Sequence, residues 1–239
     1  CDGRALVAAM LEGQLERESV LIIGTPCSGV VDRIRIERLL EGREVLGAHV
    51  TGDELVLKGD GFEEHFLLSG VLCRECLSCE QRLPPVYDVL VGEPLPPDEV
   101  ADPYPDVAAL ESKSADERWN YFSTEFARCI RCYACRQACP LCYCAECFID
   151  QNQPSWFDKS HHLSDVMAFH IVRALHTAGR CVDCGACARA CPMGIDLRSL
   201  NRKLAREVRE CYAYQAGLEL EAPPPLATYR PDDPEEFIR

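Results

Sequence analysis

Apolar and polar positions follow two different rhythms along this chain, and the change comes at about residue 114. Near the start, Leu6, Val7, Met10 and Leu11 share one helical face. Asp2 is the expected cap of that helix, and Gly13 lies near its end. The apolar run at 19–24 has strand length and is broken by Thr25-Pro26-Cys27; residues 31–40 then read as helix. Residues 44–50 and 54–58 alternate as strands do, with turn chemistry at Thr51-Gly52-Asp53. A proline- and acid-rich stretch follows, including Pro94-Leu95-Pro96-Pro97, and reads as a linker.

Helical periodicity then takes over. Ser114-Ala115-Asp116-Glu117 has capping-box spacing and begins a helix through Trp119, Phe122 and Phe126. Ser164 is the expected cap of a second, with Val166, Met167, Ile171, Ala174, Leu175 and Ala178 inward and Gly179 at its end. Asp196 is the expected cap of a third, with Leu197, Leu200, Leu204 and Val208 in one stripe. The resulting expectation is an α/β N-terminal domain over 1–83, a linker over 84–113, a mainly helical domain over 114–212 and an acidic Pro-rich tail over 213–239.

Composition alters this picture in one respect. The 239 residues include 17 cysteines. Disulfide-rich scaffolds are usually short secreted chains, and an odd count leaves a thiol over. Here the cysteines fall in tight C-x-x-C runs, which points to metal or cluster ligation in a reducing compartment. The formal charge of −14 argues against nucleic acid or an anionic membrane surface as partner. No apolar run approaches the ~20 residues of a membrane-spanning helix, and no signal peptide is visible. An opening Cys1 without Met suggests further sequence upstream.

The candidate chemistry lies in an internal repeat. Cys129, Cys132, Cys135 and Cys139-Pro140 are matched by Cys181, Cys184, Cys187 and Cys191-Pro192, each set spaced C-x₂-C-x₂-C-x₃-C-P. This is the run of bacterial-type two-cluster 4Fe–4S ferredoxins, in which the fourth cysteine serves the other cluster. Three cysteines two residues apart wrap one cubane, and the fourth points away. The expected ligand sets are therefore Cys129, Cys132, Cys135 and Cys191 for one cluster, and Cys181, Cys184, Cys187 and Cys139 for the second. Zinc is the competing use of C-x-x-C pairs, but a duplicated four-cysteine run with both prolines fits cubanes better.

Two further groups carry less specific signals. Cys1, Cys27, Cys76 and Cys79 are candidates for a third cluster. Cys142, Cys144 and Cys147, which follow the first run at once, are candidates for a further site with Cys73. Zinc, or buried unligated thiols, is the plain alternative for both. Cys211 is expected to be a free thiol. His170 and His176 lie on an otherwise apolar predicted helix, so a structural role weighs against tuning a cluster through hydrogen bonds to sulfur.

These residues carry a resemblance. Cys1-Asp2-Gly3-Arg4-Ala5-Leu6-Val7, Ile22-Ile23-Gly24-Thr25-Pro26-Cys27 and Cys76-x-x-Cys79 with Pro84-Pro85-Val86-Tyr87-Asp88 resemble the beta-subunit family of deazaflavin-reducing hydrogenases and formate dehydrogenases. The segment from Cys129 to Cys144 is similar to that family's ferredoxin-like part. The stretch from His176 to Ile195 is also similar to subunits associated with heterodisulfide reductase. The resemblance implies a relay subunit in a larger cytoplasmic redox complex of an anaerobe. It would pass single electrons between a flavin or heterodisulfide-reductase-like partner and a hydrogenase or dehydrogenase. Catalytic members of the family bind FAD and reduce a deazaflavin, which keeps a flavin-bearing catalytic subunit as the alternative. No G-x-G-x-x-G or P-loop is present to support it.

Overall fold

A computed structural model describes residues 1–96, 100 and 102–228. Pro97 of the expected linker and tail residues 229–239 lie outside the described residues. In chain order come helix α1 (Asp2–Leu11), strand β1 (Ile23–Gly24), helix α2 (Arg33–Leu39) and strands β2 (Gly47–Thr51), β3 (Glu54–Gly59) and β4 (Phe62–Leu67). Single helical turns α3 (Leu68–Val71) and α4 (Arg74–Leu77) lead to strand β5 (Val89–Leu90). Helices α5 (Pro105–Glu111), α6 (Ala115–Ala127), α7 (Ala134–Gln137), α8 (Leu163–His176), α9 (Ala186–Arg189) and α10 (Arg198–Tyr212) complete the order. Among the described residues no helix is long and apolar enough to cross a membrane.

The chain divides into two compact units. One joins Cys1–Gly24, Pro84–Val91 and Tyr104–Arg239; the other joins Thr25–Leu83 and Gly92–Pro103. The expected boundaries are corrected accordingly, because residues 1–83 do not form one domain.

In the smaller unit, Asp32 caps α2 by accepting the Arg35 N–H at 3.0 Å. Strands β2, β3 and β4 form an antiparallel sheet with β3 central. Strand β4 is an addition to the elements that the sequence predicts. The turn residue Gly61 (φ 73°) lets it fold back so that Leu55 lies opposite Phe66. The core of this unit is Ile36, Leu40, Leu55, Leu57 and Val71.

In the larger unit, Val7 and Ala8 of α1 are buried, and Ala8 packs in a cluster with Leu141, Val182 and Ala216. Arg4 Nε donates to Ala216 O at 2.9 Å, and Glu12 receives the Arg180 guanidinium. Those contacts are why α1 belongs with the cysteine repeats. Cys1, not Asp2, occupies the capping position of α1. The strand expected at 19–24 shrinks to β1, which pairs in parallel with β5, so part of the expected linker is strand. A second part is helix α5: Pro105 lies in its first turn, where a missing N–H costs nothing. Asp106 and Glu111 on α5 then pair with Arg202 and Arg206 of α10 at 2.8 and 2.7 Å.

Helix α6 carries the full capping box. Ser114 Oγ accepts the Glu117 N–H, and the Glu117 carboxylate accepts the Ser114 N–H at 2.8 Å. Helices α8 and α10 keep part of their expected apolar faces, with Val166, Met167, Ala174 and Leu197 buried and Leu200 packed on the core, and add polar residues to them. Ser164 lies inside α8, whose cap position holds His162 without a side-chain cap bond, whereas Asp196 does cap the start of α10, its Oδ1 accepting the Ser199 N–H at 3.3 Å. On α8 the buried side holds Phe169, His170 and Arg173, while Ile171 and Leu175 are exposed. On α10 the buried residues are Arg198, Ser199, Asn201 and Arg202. An apolar-stripe rule is incomplete here because both helices also turn polar groups inward, toward the cysteines.

Candidate metal centres

The two repeats fold alike. Arg131 (φ 51°) and Tyr133 (φ 59°) in the first match Asp183 (φ 53°) and Gly185 (φ 68°) in the second, at the same offsets from Cys129 and Cys181. Left-handed backbone at non-glycine residues costs about 1–2 kcal/mol each, and it is held here because it curls the loop about the thiols. The Arg131 N–H donates to Cys129 Sγ at 3.4 Å, and the Asp183 N–H turns to Cys181 in the same way. Each loop then enters a single turn of helix, α7 or α9, that carries the third cysteine.

The consequence is two cavities. One is lined by Cys129, Cys132, Cys135 and Cys191, and the other by Cys139, Cys181, Cys184 and Cys187. Each therefore gathers three thiols from one repeat and the fourth from the other. The donor sets fit 4Fe–4S clusters: four thiols per cavity, all seventeen cysteines free of disulfides, and single-residue offsets that repeat. Among the described residues no three His, Cys, Asp or Glu side chains converge as a single metal ion would require; these thiols ring a space instead of a point.

Burial governs the thiols. It pushes Cys129, Cys135, Cys181 and Cys184 up from the ordinary thiol value, and Cys187 up to about 11. A metal that binds thiolate reverses that balance.

The two cavities differ in their walls. The first has Phe169, Ile195 and Leu197, which exclude water, together with His170. His170 Nε2 lies 3.4 Å from Cys129 Sγ, and its ring stacks on Phe126 with centroids 4.6 Å apart. Burial, then the nearby Arg173 and Arg131, hold this imidazole neutral, with its pKa lowered to about 4. The contact gives His170 a place at the cysteine ring that periodicity alone had weighed against. The second cavity is walled by Arg173, Thr177, Arg198 and Asn201, and Asn201 Nδ2 reaches Cys187 Sγ at 3.9 Å. Asp183 pairs with Arg198 at 2.9 Å and also takes Arg202.

Arg173 stands between the two rings. It lines the second cavity and donates from Nη2 to Cys135 O, in the loop of the first, at 3.1 Å. It is 5% exposed, its Nε has no hydrogen-bond partner, and its charged form is favoured by Cys142, Cys187, Cys135 and Cys139 despite burial. Nothing in the sequence marked it, because a lone arginine on a helix reads as solvated.

The remaining candidates separate by unit. In the smaller one, Cys27, Cys76 and Cys79 come together: Cys27 N–H donates to Arg82 O at 2.8 Å, and Val30 N–H donates to Cys76 Sγ at 3.2 Å. Burial raises Cys76, and the nearby Cys27 and Cys79 add to the rise. Cys73 is buried in the same unit, with its N–H bonded to Val30 O at 2.8 Å. Cys1 lies in the larger unit, as do Cys142, Cys144 and Cys147. The structure thus assigns Cys1 and Cys73 to units other than those of the cysteines with which they were grouped.

Comparison with known proteins agrees with the repeat. A 4Fe-4S dicluster domain model matches residues 128–196. The F420-dependent formate dehydrogenase subunit beta of Methanocaldococcus jannaschii is 32% identical over 108 residues, 45% of this chain and 27% of that protein. The F420-dependent formate dehydrogenase 1 subunit beta of Methanococcus maripaludis is 25% identical over 289 aligned residues, 95% of this chain and 73% of that protein. The chain thus spans about a quarter of the first relative's length and about three quarters of the second's.

Proposed function

For a chain that is related to the formate dehydrogenase beta subunits and carries a 4Fe–4S dicluster domain, we propose the role of electron-transfer subunit in a cytoplasmic oxidoreductase complex. Cys129, Cys132, Cys135 and Cys191 would hold one cluster, and Cys181, Cys184, Cys187 and Cys139 another. Bound there, such clusters supply one-electron oxidation and reduction. The observation that carries the reading is the pair of cavities, each ringed by four thiols drawn from both repeats.

The chain's own residues do the rest. The Arg131 and Asp183 amides donate to ligand sulfur, Phe169 and Leu197 keep water out, and Arg173 offsets negative charge beside both rings. A third cluster is proposed for Cys27, Cys76 and Cys79 of the smaller unit, on their mutual approach. Partners would be a hydrogenase or formate-dehydrogenase-type subunit and a flavin-bearing or heterodisulfide-reductase-like protein.

Iron, acid-labile sulfide and flavin per chain, measured on protein purified without oxygen, test this. At least about eight irons and eight sulfides are expected from two 4Fe–4S clusters, and Cys27→Ser with Cys76→Ser should remove about four more. Stoichiometric flavin would favour the catalytic alternative, and absence of iron would end the reading.

A further inference from the structure

A cavity of about 540 Å³ lies beside the second thiol ring, far roomier than either ferredoxin cavity. Cys142, Cys144 and Cys147 all line it, as do Arg136, Arg173, Arg180 and His176. Three thiols at C-x-C-x₂-C spacing facing one space are more than the two rings require.

The charge around them is one-sided. Arg136 bonds the Cys147 sulfur and pairs with Asp150, and Arg180, which feels Cys144 and Cys142, pairs with Glu12. Arg173 has no carboxylate at all among the described residues, and its buried Nε is unpartnered. Its charge is answered only by cysteine sulfurs, Cys142 among them, which favours those sulfurs as thiolates, and a cubane with thiolate ligands is an anion. Cys142 also touches Cys139, a ligand of the second ring, so a group held here would adjoin that cluster.

We propose that Cys142, Cys144 and Cys147 hold a further 4Fe–4S cluster in this cavity, with His176 as the non-cysteine donor to its fourth iron. The inference rests on the reading of the chain as an iron–sulfur protein and adds a site to it.

The test compares Cys144→Ser with Cys147→Ser, combined in the intact chain, against the parent protein. The double variant should lose about four irons and four sulfides and keep the electron paramagnetic resonance signal of the two ferredoxin clusters. His176→Ala should keep all the iron and alter the Mössbauer spectrum of one iron site. Should the double variant misfold, alkylation of the unmutated protein without oxygen decides. Cys144, although exposed, should resist iodoacetamide until a chelator strips the iron. Parent-level iron in the double variant, loss of one zinc instead of four irons, or ready alkylation of Cys144 and Cys147 in the iron-loaded protein would each overturn the site. Complete absence of iron from the parent would instead strike at the proposed function itself.

Discussion

A neutral imidazole beside a sulfur that held a cluster would have only one useful orientation. A metal-bound thiolate accepts hydrogen bonds and cannot donate them, so at 3.4 Å from Cys129 Sγ His170 must present Nε2 as N–H. Such bonds stabilise the more negative, reduced state of a cluster. His170→Ala should therefore make the potential of the Cys129-ringed cluster more negative and leave the other nearly unmoved. Redox titration followed by electron paramagnetic resonance reads the shift, and equal displacement of both clusters would contradict it. Arg173 differs in kind. Its charge faces both rings, so it acts on the pair, whereas His170 acts on one sulfur.

Among the elements, α6 illustrates how much local chemistry can specify. Its capping box satisfies orphan N–H groups at the start of a helix that ends by delivering Phe126 to the core and Cys129 to the first ring. Ser114→Ala should cost about 1 kcal/mol, seen as lower hydrogen-exchange protection across α6, with iron content unchanged. Helices α8 and α10 show the limit of the same logic. Some of their inward residues, Arg173, Arg198, Asn201 and Arg202, are polar because the neighbouring cavity is a ring of thiols and not apolar core. A period-3.6 stripe of Leu and Val could not reveal that.

At the scale of the whole molecule, the two units differ in what holds them. The smaller has an ordinary helix-on-sheet core of Ile36, Leu40, Leu55, Leu57 and Val71. The core of the larger includes Cys135 and Cys187 and is bordered by Cys129, Cys147 and Cys191, and it encloses Arg131 and Arg173 with unpartnered donor atoms. Stripping metal leaves those groups buried without compensation. Chelation should therefore abolish hydrogen-exchange protection across residues 128–196, while the amides paired between β2, β3 and β4 stay protected. Uniform loss across both units would refute this division of stability.

The spacing of the repeat predicts that each run shares its fourth thiol with the other, a short-range pattern that chain neighbours can satisfy, and the two cavities gather the eight thiols in that arrangement. The capping box of α6 and the α2 helix were legible for the same reason: their hydrogen bonds close within four residues. Only the tertiary structure decided that α1 packs on the repeats through Ala8, that 84–91 supplies a strand, that Cys27, Cys76 and Cys79 gather within the smaller unit, and that Arg173 is shared by both rings. Those outcomes depend on contacts between residues tens to hundreds of positions apart. Burial and charge compensation choose among them, and no local period records the choice.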